Sequence, residues 1–272
     1  MTHCQRGDEV ILGDQSHTFL YEAGGISSFG GVHSRQIKNY DDGTMLLEDI
    51  KSSIRKKDVH FPPSRLVCLE NTHNRCFGMP LDMNYINNVS EIVKNNSMML
   101  HVDGARIFNA ATALNQSVAE LTSEVDSVSF CLSKGLSAPS GSLLCGKKEF
   151  IEKSRLNRKA LGGLMRQSGI LAAAGIVALN EMPKKIVKDH QNASNLAKGL
   201  NAISGISIDL EKVKTNIIYF KLDHSKIDSV TLINSMLEKN IKFFELGPNW
   251  FRLVTHAGIN EEDIEHVLSQ FK

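Results

Sequence analysis

Five short apolar runs, each closed by polar or small residues, constrain this chain more than any other feature. They are EVILG (9–13), RLVCLEN (65–71), MMLHVD (98–103), SVSFCLS (127–133) and SLLCG (142–146). In several of them the apolar residues are consecutive rather than strictly alternating, which suits strands covered on both faces. Between them, LLEDIKSSI (46–54) sets Leu46, Leu47, Ile50 and Ile54 at helical spacing, and MNYINNVSEIVK (83–94) is also helical. Strands that alternate with helices predict an α/β fold with a largely parallel sheet.

The order changes after Lys147. A long helical region runs to about Met182 and contains GILAAAGIVALNEM, small and apolar nearly all round, which predicts deep packing. Pro183 interrupts it. Then come a helix (184–203), strand NIIYFKL (216–222), helix SVTLINSMLEK (229–239), strands IKFFEL (241–246) and WFRLVTH (250–256), and helix NEEDIEHVLSQF (260–271). The expected division is a large α/β domain over 1–182 and a small α+β domain over 183–272. Asn260 is the expected N-cap of the last helix, with Glu261, Glu262 and Asp263 in its first turn. The C-terminus thus looks finished. The N-terminus, where a strand begins almost at once, looks incomplete.

With 272 residues, 42% of them hydrophobic, the chain can bury a sizeable core. A net charge of +1 leaves no electrostatic footprint for nucleic acid. No apolar stretch is long enough to span a bilayer, and the polar start MTHCQRGDEV lacks a secretory h-region. Five cysteines without a CxxC pair point to reduced thiols and a cytoplasmic setting. Cys68, Cys131 and Cys145 fall inside apolar runs and are expected to be buried and inert.

Open α/β sheets bind ligands at the carboxyl ends of their strands. Those ends carry His17, His73, Asp103, Arg106, and Ser133 with Lys134. Each residue alone has an ordinary explanation as a cap, a turn or a solvated side chain. As a group they supply one acid, one lysine, two histidines and one arginine to a single sheet edge. Such a set suits pyridoxal phosphate, which needs a lysine for its Schiff base and an acid beside its pyridine nitrogen. A histidine could stack on the ring and an arginine could grip a substrate carboxylate with two parallel hydrogen bonds.

Six segments carry a resemblance: GDEVILGDQSHTFLYEAGG (7–25), RLVCLENTHNR (65–75), HVDGARIFNAA (101–111), DSVSFCLSKGLSAPSGSLLCG (126–146), GGLMRQSGILAAAG (162–175) and FRLVTHAGINEEDI (251–264). In this order the chain resembles the low-specificity L-threonine aldolases, pyridoxal phosphate enzymes of fold type I. The resemblance implies that Lys134 is the Schiff-base lysine, Ser133 a phosphate contact and Asp103 the pyridine-nitrogen partner. It implies that His17 stacks on the ring and that His73 lies near the substrate β-hydroxyl. Arg106 would sit near the cofactor's phenolic oxygen and the substrate carboxylate, and Arg252 would clamp that carboxylate. Lys159 and Arg166 would reach toward a neighbouring subunit's cofactor, in a homodimer or tetramer. The chain departs from the family in lacking its N-terminal RSDT-like stretch and SGT-type phosphate turn. Its loop at Arg75–Pro80 is short, and Leu164 stands where a third glycine is common.

The implied activity is cleavage of L-threonine or L-allo-threonine to glycine and acetaldehyde, with His73 the first choice to take the β-hydroxyl proton. Two other readings stand beside it. One is a different fold type I lyase that β-eliminates a related amino acid. The other is a truncated, catalytically impaired relative that keeps the fold without the cofactor.

Overall fold

The computed structural model describes residues 1–223 and 228–272. Its first part runs β1 (Glu9–Gly13), α1 (His17–Leu20), α2 (Gly25–Ser28), β2 (His33–Ile37), α3 (Leu47–Ser53), β3 (Ser64–Glu70), α4 (Met83–Asn95), β4 (Met99–Asp103), α5 (Ile107–Leu114), α6 (Val118–Leu121), β5 (Ser127–Cys131), β6 (Ser142–Gly146), α7 (Lys148–Ala160) and α8 (Gly169–Glu181). The six strands form one sheet in the order β2-β1-β3-β4-β5-β6. Every neighbouring pair is parallel except β5 with β6. The order reverses at β1, so connections leave it toward both sides and open a crevice at the carboxyl ends of the central strands.

The second part runs α9 (Ile186–Asn201), β7 (Ile206–Ser207), β8 (Ile217–Leu222), α10 (Ser229–Glu238), β9 (Phe244–Gly247), β10 (Trp250–Val254) and α11 (Glu261–Phe271). Its four strands make an antiparallel sheet in the order β7-β8-β10-β9. The fold is therefore α/β, a mostly parallel sheet joined to a small antiparallel one. Asn260 caps α11 as expected: its side chain accepts the Asp263 N–H, and Asp263 in turn accepts the Asn260 N–H.

The two sheets have separate cores. Ile11, Val67, Leu100 and Val102 line one, covered by α4 and α5 through Ile86, Val89, Ile107 and Ala110. The other centres on Phe220, which stacks on Phe251 at 4.9 Å and meets Phe243 and Phe271 edge-on. Polar contacts tie the parts together. The Thr215 hydroxyl donates to the Gly78 carbonyl at 2.9 Å, and Asn109 of α5 donates to the Asn216 side chain at 3.2 Å.

The structure departs from the sequence reading in four places. Strand β2 was not expected, because HSRQI carries a single apolar residue; it is an edge strand that pairs only with β1. The helical run after Lys147 is two helices, separated at residues 161–168, where Gly162 takes a positive φ of 80°. Helix α8 is not deeply packed: only Gly175 and Ala178 are buried, and Ile170 is 80% exposed. The other edge strand, β6, is exposed along its whole length, so Cys145 is exposed and Cys131 half-buried, whereas Cys68 is buried as expected.

Gly78 has φ 69°, and a Cβ there would stand 2.8 Å from the Ile217 Cβ. Gly78→Ala should therefore destabilise the protein by about 1–3 kcal/mol, measured by denaturant unfolding. Phe220→Ala should cost about 3–5 kcal/mol in the same measurement, because it empties the centre of the second core.

Candidate active site

Four strand ends converge in the crevice. Strand β1 leads through Asp14 to His17, β3 ends at Glu70 ahead of His73, β4 ends at Asp103, and β5 leads to Lys134. Strands β3 and β4 are in register with Glu70 opposite Asp103, and β4 pairs β5 with Asp103 opposite Ser129. Parallel pairing thus brings residues far apart in sequence to one edge.

Asp103 is half-buried and accepts the Ala105 N–H at 3.2 Å. Burial raises its pKa, as does the nearby Glu70 carboxylate, while Lys134 and His17 act the other way. Lys134 is half-buried in a tight loop, where its carbonyl accepts the Ser137 N–H at 2.8 Å. The loop lies close on α5: a Cβ on Gly135 would fall 2.6 Å from the Asn109 Oδ1. Only a glycine lets the backbone beside Lys134 come that near.

His17 starts α1. Its backbone N–H donates to Glu70 Oε2 at 2.7 Å, and its ring Nδ1 lies 3.0 Å from Glu22 Oε1. The ring is partly open to solvent, with the side chain 37% exposed. His73 is different. It sits in a closed loop whose ends are clamped by Asn71: the side-chain amide donates to the Leu81 carbonyl and accepts the Leu81 N–H. The His73 ring is 0% exposed, and burial brings its pKa down to about 4. Its Nδ1 accepts the Cys76 N–H at 3.3 Å, which assigns the ring proton to Nε2. That Nε2 is buried without a partner and stands 3.9 Å from Glu70 Oε2. Burial favours the neutral ring, and its unpartnered nitrogen is a donor.

Two arginines act on each other electrostatically here. Arg106, just before α5, is half-buried, and its pKa is lowered by burial and then by the positive charge of Arg252. Arg252 reaches over from β10; its Nη1 donates to Asn74 Oδ1 at 2.6 Å, and its Nε is buried without a partner. Paired cations with an unused donor form an anion site.

Ser133 is exposed beside Lys134. Lys159 and Arg166 are exposed and, among the described residues, make no hydrogen bond or ion pair with this cluster. Three contributors were not singled out in the sequence: Glu70, Asn74 and Tyr219. The Tyr219 hydroxyl donates to the Asn74 carbonyl at 2.6 Å. Glu70 did leave a sign, an acid closing the apolar run RLVCLE.

The residues present fit the cofactor implied by the resemblance. An amine lies within electrostatic reach of a carboxylate on the next strand, an imidazole ring is open to the crevice, and an arginine pair has an unfilled donor. His73 should show no ring titration between pH 8 and 5.5 when its C–H resonances are followed by NMR; a midpoint near 6.5 would contradict this burial.

Known proteins share this architecture. A family model described as beta-eliminating lyase matches residues 1–223. The probable low-specificity L-threonine aldolase 2 of Arabidopsis thaliana is 45% identical over 276 residues, a match covering 100% of this chain and 78% of the relative. A Leishmania major threonine aldolase structure has a TM-score of 0.81 at 18% identity and covers 99% of this chain and 78% of that one. A PLP-dependent aminotransferase from Streptococcus suis has a TM-score of 0.71 at 15% identity, covering 99% of this chain and 71% of that one. The two structures speak to the fold, and the aldolase sequence to kinship. The chain belongs to the beta-eliminating lyase family, with low-specificity L-threonine aldolases among its relatives.

Proposed function

We propose that this chain is a pyridoxal phosphate-dependent aldehyde lyase that cleaves L-threonine or L-allo-threonine to glycine and acetaldehyde. The observation that carries the reading is the Lys134 amine within electrostatic reach of the Asp103 carboxylate, from the loop after the adjoining strand, in a chain 45% identical to a probable threonine aldolase. When bound, the cofactor supplies an aldehyde for the amine and a ring that accepts an electron pair from the substrate's Cα.

The protein's residues then have distinct tasks. Lys134 would hold the cofactor through its amine. Asp103 would keep the pyridine nitrogen protonated. Ser133 would contact the phosphate. Arg106 and Arg252 would bind the α-carboxylate and orient the substrate. His17 would lie against the ring and is the better base for the β-hydroxyl. With Nδ1 turned to Glu22, its Nε2 is free to take the proton. His73, with its proton on Nε2, supports the site as a donor.

The exposed apolar side chains of α7 and α8, among them Leu156 (72%) and Ile176 (60%), support assembly with further copies, where Lys159 and Arg166 would serve a neighbour's site. Among the described residues no helix is long and apolar enough to cross a membrane, and the five cysteines are free.

Purified protein supplied with pyridoxal phosphate should convert threonine to acetaldehyde and glycine; release of pyruvate and ammonia from a related amino acid would replace this reading with a β-elimination. Lys134→Ala should remove the visible absorbance of the lysine-bound cofactor. His17→Ala should lower kcat/KM about 10²–10⁴-fold, whereas a loss below tenfold would take the base role from it.

A further inference from the structure

Glu70 has no part in the chemistry described above, yet its carboxylate holds two segments of the site. It ends β3, is 5% exposed, and lies in register with Asp103. Each of its carboxylate oxygens accepts a backbone N–H from a different segment. Oε2 takes that of His17 at 2.7 Å and Oε1 that of Asn74 at 2.9 Å. Asn74 passes the contact on, since its side chain holds the Arg252 guanidinium and its carbonyl accepts the Tyr219 hydroxyl.

We propose that Glu70 is the positioning residue of the site: one buried carboxylate holds the His17 turn and the Asn74 loop by their backbone N–H groups and, through Asn74, sets Arg252. The ring-covering histidine comes from the segment after β1 and the carboxylate clamp from β10. Glu70 lies between them and gives both one fixed reference. The arrangement calls for an ionised acid. A bare carboxylate accepts at both oxygens, and such bonds are stronger than neutral ones. A protonated carboxyl would turn its O–H, and a glutamine its NH₂, against one of the two N–H donors.

The titratable and charged groups around Glu70 are Asp103, Arg106, His17, His73, Cys68 and Cys76. Burial raises the Glu70 pKa, while the two N–H donors, His17 and Arg106 pull it back. As pH falls, Glu70 therefore takes up its proton before an ordinary glutamate does. Because its folded-state pKa lies above the unfolded value, that protonation does not weaken the fold through this group. The site is expected to lose its order at mildly acidic pH while the fold persists.

The inference rests on the aldolase reading for what His17 and Arg252 do, but its bonds can be tested without cofactor. In the cofactor-free protein, the ¹H–¹⁵N resonances of His17 and Asn74 should shift together with one pH midpoint, shared by the Glu70 side-chain carboxyl and lying above about 4.3. Glu70→Gln should abolish this shared titration. It should also lower kcat/KM by about 10- to 100-fold, mostly through KM as Arg252 loses its setting. Two amides that titrate independently or not at all would overturn the proposal, and so would a Glu70→Gln enzyme with unchanged kcat/KM. If Glu70→Gln fails to fold, the wild-type titration alone decides. A shared midpoint in a protein that does not cleave threonine leaves the positioning intact and removes the aldolase reading. Threonine cleavage without a shared midpoint does the reverse.

Discussion

Glu70 and Asp103 end adjacent parallel strands side by side, Glu70 buried and Asp103 half-buried. Burial disfavours ionisation of both, and the Glu70 charge adds to the effect at Asp103. What surrounds them offsets this. Lys134 and His17 act on Asp103, while Arg106 and the N–H groups of His17 and Asn74 act on Glu70. The cations, histidines and tight loops at this edge are thus tied to one problem, how to keep two carboxylates in a crevice that excludes much of the solvent. A pyridine nitrogen with its proton would complete the compensation at Asp103.

The second sheet matters because of Arg252. Strand β10 carries it from a separate core to the edge of the first sheet, where it stands near another arginine, Arg106. A half-buried like-charge pair with one buried, unused donor invites an anion. The α-carboxylate of an amino acid would supply that anion, so substrate binding and the joining of the two parts use the same group. The contacts of Thr215 with Gly78 and of Asn216 with Asn109 hold the parts in that relation.

Much of this was legible in the sequence, for an identifiable reason. Parallel strands buried on both faces appear as continuous apolar runs, and the residue that ends each run marks the crevice. Lys134 and Asp103 could be found in that way. Strand β2 could not, because an edge strand needs little apolar surface. The exposure of α8 ran against its composition, since hydrophobicity does not say whether the covering surface is in the same chain. The sequence could point to His73, but not to the tautomer of its ring. The Cys76 N–H that assigns its proton to Nε2 comes from the fold of a short loop, not from a pattern. Glu70 escaped notice because an acid at a strand end reads as a solvated terminus until its two backbone partners are seen.

In the proposed function Lys134, within electrostatic reach of Asp103, holds the cofactor. Borohydride reduction of the protein with pyridoxal phosphate bound, followed by peptide mass spectrometry, tests it directly. The account predicts the reduced pyridoxyl group on Lys134. A different lysine carrying the label at full occupancy, or no lysine labelled in a protein that cleaves threonine, would contradict it.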